Sequence, residues 1–391
     1  MGKNDFNSSN LDFIFDASDL DFKYDLCTFL QSITTEIKQI NANVGEPDFR
    51  QIYRLIGTKG YLAPSWPTKY GGLSRSMVAM GIVSEEMAHH NVGDTLQVLS
   101  IFFAGNLILK MGSTTQKQKY LGSLAKGDIF MSILYSEKYA GSDLAALEMQ
   151  AIDLNNGYYE LSGTKIYNVK SLQADYALCA TRTNKTLSKY EGITLFIVPL
   201  QVSQVKICKI PSLMNELFCE VKFDKLKVHE SEIIGKANEG WYMLNNALYL
   251  ERTGLDLLVK FIRWVELLNT IICLGCCVSE NKAINLYNYL NFKLINAKYY
   301  VYNILKTLDE VDTLAESTAA TAKYYLGELS SIAIKEIIKL VNWRKINNIR
   351  EADGYSKNLE LALREIPSLT LAAGTSEIML ESIAKNELYL N

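Results

Sequence analysis

Residues 155–161 read Asn-Asn-Gly-Tyr-Tyr-Glu-Leu, which joins a tight turn signal to the start of a β-strand. Asparagine and glycine tolerate the left-handed backbone that a short hairpin turn requires, and the aromatic residues after them favour a strand. Short apolar runs follow at 177–181, 193–200 and 220–228, with no long helical pattern between them. The pattern predicts an antiparallel, barrel-like sheet in the middle of the chain.

Helical patterns lie on both sides of this predicted sheet. From Leu26 to Ile37, apolar residues recur at the three- and four-residue spacing of a helix. Similar patterns return after about residue 245 and continue nearly to the end. The sequence therefore predicts an α+β protein with an N-terminal helical domain at 1–128, a β-barrel domain at 129–244 and a C-terminal helical bundle at 245–391.

The composition of the 391-residue chain is that of a globular protein, with 48% apolar residues and only 6 prolines. The balance of 40 basic and 43 acidic residues gives a net charge of −3, which does not favour a nucleic-acid partner. No apolar run approaches the roughly 20 residues of a membrane span, and the polar N-terminus lacks a signal-peptide core. We therefore expect a cytoplasmic protein with no membrane partner.

The 7 cysteines are scattered and odd in number, which does not suit a disulfide framework. Cys273, Cys276 and Cys277 have the spacing of one helical face, but no histidine or further cysteine nearby in sequence supplies a fourth zinc ligand. We interpret them as small buried thiols and expect no metal site.

Several enzyme classes lack their signature motifs in this chain. There is no Gly-x-Gly-x-x-Gly between a strand and a helix, no Walker A loop and no His-Glu-x-x-His. Histidine occurs only as His89, His90 and His229, which leaves few candidates for the base of a serine-hydrolase triad.

Glu251 is the most informative carboxylate, because a strongly apolar helical pattern follows it. At helical spacing it shares one face with Leu255, Leu258, Ile262 and Val265. A carboxylate on an apolar stripe is partly desolvated, which raises the pKa of such a group and suits a general base near neutral pH. The alternative is a first-turn glutamate that the helix dipole favours.

Three further segments are rich in glycine, small residues and hydroxyl groups. A loop at 135–143 allows backbone amides to approach a polar ligand closely, a strand at 163–169 carries one aromatic residue, and residues 373–378 precede a short helix. Each has an ordinary explanation as well, namely a surface loop, a strand of the sheet and an N-terminal helix signal at Thr375.

Taken together and in order, these segments resemble the acyl-CoA dehydrogenase family of flavoproteins over about residues 50–391. The loop is similar to the family's Thr-Glu-Pro-x-Ala-Gly-Ser-Asp segment. Residues 165–169, Lys-Ile-Tyr-Asn-Val, stand where the family has Lys-x-Trp-Ile-Thr. Residues 373–378, Ala-Gly-Thr-Ser-Glu-Ile, are similar to its Glu-Gly-Thr-x-Glu/Gln-Ile.

The resemblance implies an N-terminal α-helical domain, a middle β-barrel domain and a C-terminal four-helix bundle. It also implies FAD, held between domains and by a neighbouring subunit, so that we expect a homodimer or homotetramer. The implied FAD-binding residues are Tyr135, Ser136, Gly141, Ser142, Tyr167, Val169, Thr375 and Glu377, and the implied substrate-binding residues are Arg252, Ala373 and Gly374.

The implied reaction removes a proton beside a thioester carbonyl and passes a hydride to flavin N5, while a flavin hydroxyl and a backbone amide polarise the carbonyl oxygen. Most members carry the catalytic glutamate directly before the terminal Gly-Thr, where this chain has Ala373. A minority carry it in an x-Leu-Glu-Arg helix, which residues 250–252 match. The resemblance therefore implies that Glu251 is the catalytic base.

Other departures from the family pattern concern the flavin. Val169 replaces a threonine whose hydroxyl contacts N5 in the family, and Tyr167 replaces a tryptophan that screens the flavin face. Residues 288–292 lack the family's Arg-x-x-Phe-Gly, which binds the adenine end of the neighbouring subunit's FAD. We still expect FAD, with altered contacts at its adenine end.

The substrate expectation also follows from the resemblance. Members with the base in the Leu-Glu-Arg helix act on branched or long acyl-CoA, or on an aminoacyl group such as prolyl tethered to a carrier protein. The drift from the acyl-CoA motifs favours the tethered aminoacyl substrate of natural-product biosynthesis, with an electron-transfer flavoprotein or oxygen as acceptor. The alternatives are a branched- or long-chain acyl-CoA dehydrogenase, a flavin oxidase or monooxygenase, and a non-catalytic partner subunit.

Overall fold

A computed structural model of the chain describes residues 14–42, 47–213, 217–311, 315–348 and 353–390. Within these ranges, the side chains at 246, 247, 249–251 and 353–355 are outside the description. The predicted base, Glu251, therefore has a described backbone but no described side chain.

The described residues form α-helices on both sides of a run of β-strands. The helices are α1 (Ala17–Ser32), α2 (Thr34–Asn41), α3 (Arg50–Thr58), α4 (Met77–His89), α5 (Thr95–Gln97), α6 (Asn106–Met111), α7 (Thr114–Lys126), α8 (Gly240–Glu251), α9 (Leu255–Cys273), α10 (Glu280–Glu310), α11 (Glu316–Leu340), α12 (Trp343–Asn347), α13 (Asp353–Leu371) and α14 (Ser376–Asn386). The strands are β1 (Met131–Leu134), β2 (Gln150–Asp153), β3 (Tyr158–Val169), β4 (Tyr176–Arg182), β5 (Ile193–Pro199), β6 (Val205–Ile210) and β7 (Phe218–His229).

The strands form one sheet in the order β1-β4-β2-β3-β7-β6, and β5 pairs with β4. Four pairings are antiparallel, namely β2–β3, β3–β7, β4–β5 and β6–β7. The prediction of an antiparallel sheet is wrong for β1–β4 and β2–β4, which are parallel. The short strands β1 and β2 both pair with β4, which follows later in the sequence. A local alternation pattern does not reveal such distant pairing.

The predicted hairpin joins β2 to β3. Asn155 and Gly157 have φ angles of 57° and 80°, the left-handed backbone that the sequence indicated. The Leu154 amide donates to the Tyr158 carbonyl at 2.9 Å and closes the turn. The interpretation of residues 155–161 as a turn followed by a strand is confirmed.

The chain divides into two compact units. One unit, residues 35–75 and 91–251, contains the sheet, and its core includes Leu134, Phe196 and Val221. The other unit, residues 1–34, 76–90 and 252–391, is helical. The three predicted domains stay a prediction. No helix of the described ranges has the length and apolar character that a membrane crossing needs.

Gly254 separates α8 from α9 with a φ of 81°, and a Cβ there would lie 2.7 Å from the Leu326 side chain. The positive φ and the close contact both favour glycine at this position, and α8 ends before it. The prediction of one helical face running from Glu251 to Val265 is therefore wrong, because Glu251 is the last residue of α8. The rest of that apolar stripe, from Leu255 on, is buried along α9 as predicted.

The three clustered cysteines do not share a helical face. Helix α9 ends at Cys273, and Gly275 turns the chain with a φ of 63°. Cys276 is buried, Cys277 is half-buried and Cys273 is exposed, so the interpretation as buried thiols is right only for Cys276.

Candidate functional site

The loop that follows β1 lies against β3 in the sheet unit. The Ile166 amide donates to the Ser136 carbonyl at 3.0 Å, and the Lys165 ammonium donates to the Tyr135 carbonyl at 3.0 Å. Lys165 has none of its surface exposed and also pairs with Glu137 at 2.7 Å. These contacts bring Tyr135 and Ser136 beside the strand segment that carries Tyr167 and Val169.

Glu137 holds the loop from its other side. Its carboxylate accepts the backbone amides of Glu148 at 2.8 Å and Met149 at 3.0 Å, besides the ammonium of Lys165. A buried ion pair is stable only when its remaining hydrogen-bonding capacity is used, and here three donors surround the carboxylate. The pair therefore fixes the backbone of the loop.

Strand β3 bulges directly after Lys165. Its pairing with β7 shifts register between Lys165 and Asn168, and Tyr167 has a φ of 61° with 60% of its surface exposed. The Asn168 side chain is buried, and its Nδ2 donates to the Cys219 carbonyl at 3.3 Å. A bulge re-aims a side chain, and this one turns Tyr167 out of the sheet.

The distal part of the loop is open. Gly141 and Ser142 are exposed, and a Cβ added to Gly141 would meet no atom within 4 Å. The structure thus leaves room for a ligand against this backbone. The predicted roles of both residues in FAD binding stay predictions.

In the helical unit, the chain turns sharply between α13 and α14. Ala373 and Gly374 have φ angles of 59° and 104°. Their amides donate no hydrogen bond to any other described residue. The Nε of Arg252 donates to the Ala373 carbonyl at 3.3 Å, and a Cβ on Gly374 would lie 3.3 Å from its Nη2. Arg252 therefore contacts the turn that carries the two other predicted substrate-binding residues.

Thr375 is the N-cap of α14, because its hydroxyl accepts the Ile378 amide at 3.3 Å. Hydrogen bonds from the backbone amide of Glu377 and from the Thr375 side chain lower the pKa of Glu377. The helix signal considered for Thr375 is thus present. Roles of these two residues in FAD binding stay predictions.

The structure therefore groups the predicted residues in two places. Tyr135, Ser136, Tyr167 and Val169 gather around the Lys165–Glu137 pair, and Arg252, Ala373, Gly374 and Thr375 gather at the α13–α14 turn. Lys165 and Glu137 were missed as positioning residues. Lys165 shares a strand face with buried Leu161, and a lysine at an inward position of a strand signals a buried partner.

Comparison with known proteins identifies the family to which the chain belongs. Three family models match: acyl-CoA dehydrogenase N-terminal domain at residues 28–128, middle domain at 132–226 and C-terminal domain at 289–388. Acyl-CoA dehydrogenase FadE26 of Mycobacterium tuberculosis (strain ATCC 25618 / H37Rv) is 31% identical over 58% of this chain and 58% of its own length. The chain thus spans less than two thirds of that relative.

Longer matches have lower identity. The mitochondrial isovaleryl-CoA dehydrogenase of Pongo abelii is 26% identical over 90% of this chain and 84% of its own length. Among solved structures, the prolyl acyl carrier protein oxidase AnaB has a TM-score of 0.80 at 21% identity, over 95% of this chain and 99% of that one. At this identity the structural likeness supports the fold.

Proposed function

Because the chain belongs to the acyl-CoA dehydrogenase family, we propose that it is an FAD-dependent enzyme that dehydrogenates an acyl thioester. The observation that carries the proposal is the turn between α13 and α14. It bears a methyl group where most of the family has a carboxylate, and its two left-handed residues offer amides that donate to no other described residue. Such a turn binds an oxygen and takes no proton.

Glu251 supplies the base in this proposal. Ala373 has no titratable group, so the proton beside the thioester carbonyl must go to another residue. Glu251 is the last residue of α8, at the negative end of a helix dipole, where an ionised carboxylate is disfavoured. A carboxylate at the negative end of a helix dipole is a stronger base than the same group away from it. The apolar stripe of α9 does not include Glu251, because the chain breaks at Gly254 between them.

The amides of Ala373 and Gly374 polarise the thioester oxygen. Donors fixed in advance stabilise the negative charge that develops on this oxygen as the α-proton leaves. Arg252 holds the turn through the Ala373 carbonyl, so its guanidinium acts through the backbone.

The residues of the sheet unit fit FAD by their chemistry. The loop offers hydroxyl groups and an open backbone at Gly141 and Ser142, and the bulged β3 presents Tyr167 and the backbone of Val169. FAD, when bound, supplies the hydride acceptor of the reaction. The Lys165–Glu137 pair keeps these segments together and so prepares the site.

We propose an aminoacyl or prolyl group on a carrier protein as the substrate. The changes at Ala373, Tyr167 and Val169 separate this chain from the acyl-CoA pattern, and the fold of AnaB is compatible with such a substrate. An electron-transfer flavoprotein or oxygen takes the electrons, and the protein acts as a homodimer or homotetramer in this proposal.

The test is anaerobic flavin reduction by the purified protein, followed in the visible flavin band. The probes are a prolyl-loaded carrier protein, isovaleryl-CoA and a long-chain acyl-CoA, with unloaded carrier protein as the control. We expect a yellow protein whose flavin is bleached fastest by the prolyl carrier.

Each other outcome decides between the alternatives. Bleaching by an acyl-CoA alone would retain the dehydrogenation and replace the carrier-protein substrate. Rapid reoxidation of the reduced flavin by air would assign an oxidase. A colourless protein that no thioester changes would instead indicate a non-catalytic partner subunit and end the proposal.

A further inference from the structure

The Leu369 carbonyl, in the last turn of α13, accepts from an unusual donor. In one common way of ending a helix at a left-handed residue, the amide of that residue donates to the carbonyl four residues earlier. Here the left-handed residue is Ala373 and that carbonyl belongs to Leu369. The Ala373 amide does not make this bond. The ammonium of Lys323 donates to the Leu369 carbonyl instead, at 3.0 Å.

Lys323 is buried in the helical unit. It lies on α11 with 4% of its surface exposed, and burying a lysine requires an acceptor for its charge. One turn later, Gly327 brings α11 against the same carbonyl, since a Cβ at Gly327 would lie 2.7 Å from the Leu369 oxygen. Lys323 and Gly327 thus both lie against the same atom of α13, the Leu369 carbonyl oxygen.

Helix α13 also contains Pro367, which has no amide hydrogen and interrupts the ladder of hydrogen bonds near the helix end. The last turn therefore depends on contacts from outside the helix. Lys323 holds Leu369, and Arg252 holds the carbonyl of Ala373. Cations at the carboxyl end of a helix are favourable, because the helix dipole is negative there.

We propose that Lys323 is a positioning residue of the thioester site. In this proposal the ammonium holds the Leu369 carbonyl towards α11 and away from the Ala373 amide, which keeps that amide available to the substrate oxygen. This inference rests on the proposed function, because an amide kept free matters only where an oxygen is to be bound.

The decisive variant is Lys323→Met, which keeps the apolar stem and removes the donor. The Leu369 carbonyl then accepts the Ala373 amide, as in an ordinary helix end. We expect hydrogen exchange at the Ala373 amide of the FAD-loaded protein to slow about fivefold, the effect of one ordinary hydrogen bond. Flavin reduction by the prolyl carrier is expected to lose about tenfold in kcat, because a prepared oxyanion donor is withdrawn, with little change in KM.

The controls separate positioning from simple stabilisation. Lys323→Arg keeps a charged donor and should restore both values. Lys306→Met removes the same kind of bond elsewhere in the helical unit, from the Lys306 ammonium to the Ile14 carbonyl at 2.8 Å, and should change neither. If Lys323→Met does not fold, Gly327→Ala keeps the charge and pushes the Leu369 carbonyl towards its own helix, and should slow exchange at Ala373 to a smaller extent.

Faster exchange through the whole α13–α14 turn, or unchanged exchange at Ala373, would overturn the inference, because Lys323 would then only stabilise the helix end. Slower exchange with an unchanged kcat would overturn it as well. If no thioester reduced the flavin of the wild-type protein, the proposed function itself would be overturned. That result is obtained without the variants, so the two failures can be distinguished.

Discussion

Two buried lysine–glutamate pairs of equal length serve different purposes in this molecule. In the sheet unit, Lys165 and Glu137 lie 2.7 Å apart, and the pair also binds the Tyr135 carbonyl and two backbone amides. In the helical unit, Lys298 and Glu85 also lie 2.7 Å apart, but no hydrogen-bond partner is described for Oε1 of Glu85.

The surroundings of the second pair are largely aromatic. The Lys298 ammonium lies 5.1 Å from the ring centre of Phe15 and 5.6 Å from that of Tyr302. The difference between the pairs indicates their roles. A pair that also binds three backbone groups fixes a loop, whereas a half-satisfied pair links two helices.

The largest effect is expected for Lys165→Met. Removing one partner leaves the Glu137 charge buried and takes one donor from the Tyr135 carbonyl, which should cost about 3–5 kcal/mol in the free energy of unfolding. The loop at 135–143 should lose its order and the purified protein most of its FAD. Urea unfolding and the flavin absorbance per protein measure both quantities. The matched control is Lys222→Met. Lys222 is an exposed lysine of β7 that pairs with Thr164 of β3, and its replacement should change stability by less than about 0.5 kcal/mol.

Double variants sharpen the comparison. Replacing Lys298 by Met together with Glu85 by Leu removes a half-satisfied pair and should change the free energy of unfolding by less than about 1 kcal/mol. Replacing Lys165 by Met together with Glu137 by Leu leaves backbone groups without partners and should still cost about 2 kcal/mol or more. Equal losses in the two double variants would refute the distinction between the pairs.

A pH dependence of stability is expected from the helical unit. Burial raises the pKa of Glu86. Burial opposes a raised pKa at His89, but the hydrogen bond to Glu266 and the nearby carboxylates outweigh it, so this pKa is raised too. A folded pKa above the unfolded one gives stability that is complete below the unfolded pKa and is lost as pH rises through the folded one.

Stability should therefore fall as pH rises from 5 towards 8, by at most about 1.4 kcal/mol per pH unit for each proton involved. The decrease begins above the ordinary pKa of a glutamate and continues above that of a histidine. Glu86→Gln should flatten it, as measured by urea unfolding at several pH values. A flat wild-type profile would contradict this expectation.

The smallest effect is expected for Ala373→Gly. A non-glycine residue with a left-handed backbone is strained by about 1–2 kcal/mol, and glycine relieves the strain at some entropic cost in the unfolded chain. The free energy of unfolding should rise by about 0.5–1 kcal/mol. Ala372→Gly is the neighbouring control, since Ala372 is not left-handed, and it should lower stability instead.

Local sequence patterns predict much of the fold. The hairpin at 155–161 and the apolar stripe of α9 are where the turn chemistry and the helical period predict them. The break at Gly254 is not predictable from the pattern, because the apolar period continues across it and a single glycine is tolerated inside a helix. The parallel partners of β4 depend on contacts distant in sequence, for which local periodicity carries no information.

The two groups of candidate residues were predictable only in part. Their segments stand out in the sequence because glycine and hydroxyl residues cluster there, but Lys165 and Lys323, which hold them, are of a residue type that usually lies on the surface. The left-handed Ala373 has no sequence signal, since alanine is a helix former and the surrounding contacts impose its conformation. The contact of Lys323 was not predictable either, because its acceptor is a backbone carbonyl, which no side-chain pattern identifies.

The proposed reaction depends most on its base, Glu251. Glu251→Gln keeps the size of the side chain and removes its ability to take a proton, so anaerobic flavin reduction by the substrate tests it directly. We predict that the variant retains FAD and loses roughly a hundredfold or more in the rate of flavin reduction, the loss expected for a general base. A variant that is fully active with bound FAD would contradict the account and place the base elsewhere.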